Sequence, residues 1–215
     1  MKEIQTTSKI DHVVKWIKDY ASKHNFDTLV IGISGGIDSA VTSTLCAMTG
    51  LRTMPIVMSI RNKDILALEH TWWLEEKFEN VTKRVVNLEK VFHEFEHASN
   101  YLGADSELAF ANSRSRLRMM MLYQAAQSNN GLVVGTGNKC EDFGVGFYTK
   151  YGDGRTDEQQ LGYSYDDLEK AMKADLSGEV VEDPHLIEVM EKFRTMRGKN
   201  KHKMSMPPVC SMEKL

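Results

Sequence analysis

Leu29-Val30-Ile31-Gly32-Ile33-Ser34-Gly35-Gly36-Ile37-Asp38-Ser39-Ala40 is the stretch of this 215-residue chain whose reading decides the fold. Leu29 to Ile31 is a continuous β-prone run of the kind buried on both faces of a parallel sheet. Gly35 and Gly36 lack a Cβ, which predicts a sharp turn with positive φ that lets main-chain N–H groups approach an anion. From about Asp38 to Met48 the pattern is helical, so a helix N-terminus aims its unsatisfied N–H groups and positive dipole end at the same spot. The stretch reads as a phosphate cradle, with Ser34 and Ser39 as added hydroxyl donors. Asp38 is the discordant member. A carboxylate beside bound phosphates is repelled unless a divalent cation lies between them, which implies Mg²⁺. The plainer alternative is a strand-to-helix turn with Asp38 as a helix-start residue.

No GK[ST] follows the glycines, and the spacing is not that of the dinucleotide GxGxxG fingerprint. Ser34-Gly35-Gly36-Ile37-Asp38-Ser39 resembles instead the SGGxDS loop of the N-type ATP pyrophosphatases. That resemblance implies cleavage of ATP between the α and β phosphates and an adenylated intermediate.

Composition narrows the remaining classes. The length predicts one domain over 1–215, without room for a separate catalytic module. With 27% charged and 41% hydrophobic residues the chain is of ordinary globular composition. A net charge of −3 supplies no global basic field for nucleic acid. Cys46, Cys140 and Cys210 are odd in number and widely spaced, which argues against a disulfide framework or a zinc site and for a reducing compartment. The N-terminus has no apolar core of signal type and no run approaches 18 apolar residues, so a cytoplasmic protein that engages no membrane is expected.

Along the chain, Ile10, Val13, Val14, Ile17 and Ala21 predict an amphipathic helix over Ser8–Lys23 with Ser8 as its cap. Met54–Met58 and Arg84–Val86 read as strands, and Asp64–Phe78 and Glu89–Ala98 as helices. Trp72 and Trp73 are adjacent and cannot share one helix face, so one is expected in the core and the other against a partner subunit or in solvent. His93 and His97, four apart without a third ligand, read as a solvated face. The longest helical pattern lies between Ser106 and Gln127. There Asn112 and Arg116 share one face, and Arg114 and Arg118 another. A solvated helix and a helix lining an anionic cleft both fit that pattern.

Gly131–Gly135 repeats the strand-then-glycine logic, and Thr136-Gly137-Asn138-Lys139-Cys140-Glu141-Asp142 follows it. Ligands of doubly wound sheets lie at the carboxyl ends of strands near the switch point, so this loop should face the first one. Glu141 then becomes a second acidic group for the Mg²⁺ at Asp38, or else a first-turn helix carboxylate. The glycine-rich, aromatic stretch from Gly146 to Gly154 reads as a binding loop. Ser164 with Asp167, and Asp183 before Pro184, mark two closing helices around Gly178 as breaker.

GISGGIDS, NSRSRLRM, GTGNKCED, FYTKYGDG and the terminal NKHKM…PPVC, in this order, resemble the ammonia-dependent NAD synthetase family over nearly the whole chain. The resemblance implies an α/β fold, doubly wound, with a mostly parallel sheet and helices on both faces. It also implies a homodimer that uses ATP, Mg²⁺ and ammonia to amidate deamido-NAD. By it Gly32, Ile33, Ser34, Gly35, Gly36, Ile37, Asp38, Ser39 and Thr136 would bind ATP, and Asp38 and Glu141 would hold Mg²⁺. Arg116, Lys150, His202 and Lys203 would bind deamido-NAD, with Asp38 and Lys150 closest to the chemistry. The basic run from Lys192 to Lys203 reads as a solvated tail by composition, and as a clamp on the dinucleotide by the resemblance.

The chain departs from the family after Gly154. There a helical segment with a mobile loop is expected, but Arg155 follows directly. The family's second ATP hydroxyl contact and a deamido-NAD aspartate lie in that segment and have no counterpart here. Two rivals therefore stand beside the synthetase reading. One is another SGGxDS enzyme, tRNA-modifying or GMP-forming; the other is a nucleotide-binding homologue without turnover.

Overall fold

The structure is a computed structural model that describes residues 2–61, 64–137, 144–145, 149–152, 163–178 and 180–200. Its elements run α1 (Lys2–Lys23), β1 (Thr28–Ile33), α2 (Ile37–Met48), β2 (Arg52–Ser59), α3 (Ile65–Lys77), β3 (Arg84–Asn87), α4 (Glu89–Asn100), α5 (Glu107–Ser128), β4 (Gly131–Val133), α6 (Tyr165–Ser177) and α7 (Pro184–Asn200). They group into two compact units, one up to Thr136 with Tyr151 and Gly152, the other from Gly137 to Lys150 and beyond Gly154.

In the first unit the strands pair in the order β3-β2-β1-β4, all parallel. Leu29, Val30 and Ile31 are fully buried, as an apolar run without alternation requires when helices cover both faces of a sheet. Successive side chains take opposite faces. Leu29, Ile31 and Ile33 pack with Ile17, Cys46 and Ala67 from α1, α2 and α3. Val30 joins Met58 with Phe92, Phe110 and Leu122 from α4 and α5. This is the doubly wound α/β arrangement that the sequence implies. Its strand order turns back between β1 and β4, the switch point at whose carboxyl ends sheets of this kind bind their ligands.

Pro55 stands inside the central strand β2, where a missing N–H is normally excluded. Main-chain donors alternate sides along a strand, and Thr53, two residues earlier, directs its N–H to Asn80 O on the β3 side at 2.9 Å. Pro55 therefore turns its missing donor to the β3 side, in the gap between the isolated Thr53–Val81 bridge and the pairing of Ile56 with Arg84 where β3 begins.

Two expectations need correction. Helix α1 begins well before Ser8, which lies exposed inside it and caps nothing. Neither Trp72 nor Trp73 enters the core: they are 51% and 45% exposed. The inner face of α3 carries Ala67, Thr71 and Leu74 instead, and the main chain at Leu66 and Ala67 lies against the turn at Gly35. His93 and His97 are exposed as expected.

The second unit is built on Val145, Leu168, Ala171, Val189 and Phe193 between α6 and α7. Its helix signals read correctly. The Ser164 hydroxyl accepts from the Asp167 amide, Gly178 closes α6 in the left-handed region with φ 69°, and the His185 amide donates to the Asp183 carboxylate before Pro184. Among the described residues no helix is long and apolar enough to cross a membrane.

Candidate active site

β1 delivers Gly32 and Ile33 to the carboxyl edge of the sheet, where the chain turns through Ser34, Gly35 and Gly36 into α2. Gly35 has φ 85°, a conformation that L side chains rarely adopt. A Cβ placed on it would come within 3.2 Å of the Ala67 amide nitrogen and 3.3 Å of Leu66 Cβ, so the turn is wedged against α3. Gly36 departs from the sequence expectation: its φ is −84°, extended backbone that other residues adopt, and here it is the N-cap of α2. As a glycine it offers no side-chain cap, so the N–H groups of the first turn, from Ile37 to Ser39, are not satisfied by their own N-cap residue at this edge of the sheet.

The two loop serines do more to build the turn than to reach outward, which corrects their reading as simple donors. Ser39 is 2% exposed. Its Oγ donates to Gly36 O at 2.9 Å and accepts from the Ser34 amide at 3.2 Å. Ser34 Oγ accepts from the Gly36 amide at 3.1 Å and lies 3.0 Å from Ser39 Oγ. Each such bond contributes about 0.5–1.5 kcal/mol net, and together they hold the turn in shape before any anion arrives. Asp38 is half-buried in the first turn of α2.

On the other side of the switch point, the Val134 amide donates to Val30 O at 2.9 Å, extending the β1–β4 register past β4. Thr136 thereby leaves the same edge of the sheet as the loop. The structure so gathers Gly32–Ser39 and Thr136 in one unit. Arg116 lies exposed on α5 of that unit, and Lys150 is half-buried in the other. Glu141, His202 and Lys203 lie outside the described residues.

Of the two readings left open for α5, the Arg114 and Arg118 face does not follow the solvated one: it turns inward. Arg118 is 9% exposed and its Nε donates to Met58 O at 3.0 Å, tying α5 to the carboxyl end of β2. Arg114 lies over the Phe92 ring, 5.5 Å from its centre, with Nη1 buried and without a hydrogen-bond partner among the described residues. Arg118→Met is expected to lower stability by about 1–3 kcal/mol, since the Met58 carbonyl stays buried without its donor. The urea midpoint measures this, and a midpoint equal to the parent's would show that the bond contributes nothing.

Periodicity missed three contributors to the site: Ser43, His70 and the N-terminal turn of α3. Ser43 follows Ser39 by four residues, so its place on the same face of α2 was legible; that α3 supports the loop was not. Cys46 is buried behind the loop, and burial pushes its thiol up to about 12, which keeps it an unreactive core residue at neutral pH. Among the described residues no cluster of three or more His, Cys, Asp or Glu could enclose a metal. A lone carboxylate beside phosphate oxygens is the donor set of a site completed by substrate, as Mg²⁺ prefers.

A parallel, doubly wound sheet whose first strand ends in an internally braced SGGIDS turn at an uncapped helix N-terminus defines an α/β nucleotide-binding domain. The chain belongs to the NAD synthase family, whose model matches residues 9–156. It is 28% identical to the NH(3)-dependent NAD(+) synthetase of Syntrophomonas wolfei, over 94% of this chain and 94% of that protein. That alignment spans 246 positions, more than this chain contains, so the relative carries residues inside the matched span that this chain lacks. The NH3-dependent NAD synthetase of Campylobacter jejuni, solved with a nitrate ion, superposes with a TM-score of 0.77 at 25% identity, covering 95% of this chain and 99% of that one. The fold is shared as well with an NMN synthetase from Francisella tularensis, at TM-score 0.79 and 24% identity over 96% and 98% of the two chains.

Proposed function

We propose that this chain is a ligase that amidates deamido-NAD to NAD with ammonia, consuming ATP and releasing AMP and pyrophosphate. The observation that carries this reading is the braced SGGIDS turn at the carboxyl end of β1, in a chain whose relatives bear the name of that activity. The carboxylate of deamido-NAD attacks the α-phosphorus of ATP, and the bond to the β-phosphate oxygen breaks. Ammonia then adds to the acyl carbon of the adenylate, AMP leaves with the electron pair of the acyl C–O bond, and the amide nitrogen sheds a proton. The chain's work in both steps is positioning and charge stabilisation. The first-turn amides of α2 receive the phosphates, Asp38 and Glu141 hold Mg²⁺, and Thr136 contacts ATP. Mg²⁺, when bound, neutralises the charge of the departing pyrophosphate. Arg116, Lys150, His202 and Lys203 bind deamido-NAD, with Lys150 nearest the reacting carboxylate. The active form is a homodimer in the cytoplasm that engages neither nucleic acid nor membrane, and 1–215 makes up one synthetase domain.

The test is release of pyrophosphate from ATP and Mg²⁺ by the purified chain. Product is expected only when deamido-NAD is present, with ammonia sufficient as nitrogen donor. Strict dependence on glutamine, or faster turnover with the mononucleotide acid in place of deamido-NAD, would contradict the reading.

One observation favours a second reading, nucleotide binding without turnover. The relative's extra residues, and a family match that ends just after Gly154-Arg155, fit a chain lacking a segment that closes over ATP. Without closure an adenylate would stand open to hydrolysis. The intact mass of the purified protein decides between them. We expect a mass well above 24.4 kDa, from a segment at that join absent from the sequence; a mass of 24.4 kDa together with ATP binding and no turnover would establish the binding homologue.

A further inference from the structure

We propose that His70 is a positioning residue for the nucleotide loop, locking the helix that carries the loop to α3 through a hydrogen bond to Ser43. The proposal rests on the reading above that the loop binds ATP. His70 lies on the second turn of α3, half-buried, its ring stacked on Trp73 with centroids 5.7 Å apart. Its Nε2 is 2.9 Å from Ser43 Oγ, and Ser43 is fully buried in α2. The Ser43 hydroxyl has one hydrogen. That hydrogen goes to the main chain of α2, 2.7 Å to Ser39 O with Ala40 O a longer second acceptor at 3.2 Å. Ser43 Oγ is therefore the acceptor for His70, and the imidazole carries its proton on Nε2. Burial pushes the ring's pKa below its ordinary value and outweighs the opposing effect of a hydrogen bond to the Ala40 main chain, which keeps the ring neutral at pH 7.

The chain of bonds leads straight to the anion site. His70 donates to Ser43, Ser43 donates to the carbonyl of Ser39, and the side chain of Ser39 fixes Gly36 O and the Ser34 amide. One turn earlier on α3, Leu66 and Ala67 lie against Gly35. α3 thus holds the loop at two heights. The packing at Gly35 is steric, whereas the His70–Ser43 bond is directional and fixes the register of α2 on α3. A shift of that register would misdirect the first-turn amides, so His70 bears on ATP rather than on deamido-NAD.

The test compares His70→Leu, which keeps bulk but has no donor, with His70→Gln, whose amide Nε2 can donate from a similar position. The dissociation constant for ATP with Mg²⁺ is expected to rise roughly three- to tenfold in the Leu variant, the worth of one hydrogen bond, and to return to within about twofold of the parent in the Gln variant. Affinity for deamido-NAD should not move in either. In the parent, ¹⁵N spectra of the His70 ring should show the neutral Nε2-protonated tautomer. Parental ATP affinity in the Leu variant, equal weakening of both substrates, or an Nδ1-protonated ring would overturn the proposal. If the Leu variant does not fold, Ser43→Ala removes the other end of the bond and is read the same way. A parent chain that fails to bind ATP would overturn the function reading instead, and the tautomer would still decide the bond.

Discussion

Asp38→Asn is expected to lose at least about 100-fold in turnover, with folding and the urea midpoint little changed. The magnitude follows from its place at the first turn of α2: even residues that only support a metal ligand typically cost 10–100-fold when changed, and Asp38 is proposed to touch the ion itself. Glu141→Gln should lose a comparable factor, and the double variant little more than either single one, because groups that serve one ion are not additive. Steady-state pyrophosphate release across Mg²⁺ concentrations measures this. Full activity of Asp38→Asn at limiting Mg²⁺ would remove the residue from the site. Losses that multiply in the double variant would show that the two carboxylates act separately.

Gly35→Ala should fail for a different reason. A non-glycine residue held at φ 85° is strained by about 1–3 kcal/mol, and its methyl group would meet the backbone of α3 rather than the end of a flexible side chain. The loop can relieve this only by moving away from Ala67, which carries the first-turn amides with it. We expect a lower urea midpoint together with loss of measurable ATP binding at concentrations that saturate the parent. Gly36→Ala serves as the control. Its φ of −84° suits any residue, and an added Cβ would meet only Ser34 Oγ, at 3.3 Å. Equal damage from both changes would show that conformation at Gly35 is not what the loop requires.

Much of this architecture is legible in the residues because short-range rules govern it. Leu29-Val30-Ile31 could only be an interior parallel strand, and Gly35 could be read as a turn glycine. Ser164, Gly178 and Asp183-Pro184 mark helix ends through local capping chemistry. What periodicity could not supply is which way an amphipathic pattern faces when the inner side is made of small or charged residues. α3 turns Ala67, Thr71 and Leu74 inward and both tryptophans outward. α5 buries Arg118 because a carbonyl at the end of β2 needs a donor. The site divides along the same line. The loop, Asp38 and Thr136 belong to one edge of one sheet and follow from strand order, whereas the support from His70 through Ser43 joins residues 27 apart and leaves no local trace.

The wedge between Gly35 and α3 also sets the limits of transplantation. The hexapeptide from Ser34 to Ser39 is not a portable cassette, since its shape is held partly by a helix that begins only after another strand has crossed the sheet. A protein engineer who grafts SGGIDS alone onto a foreign strand–helix junction would bring the glycines without the wall that selects their conformation. The smallest exchangeable piece runs from β1 through α3, residues 28–77. Within it, the wall at Gly35 is the main chain and Cβ of residue 66 and the amide of residue 67, so exchanging the side chains at 66 and 67 does not relieve a substitution at 35.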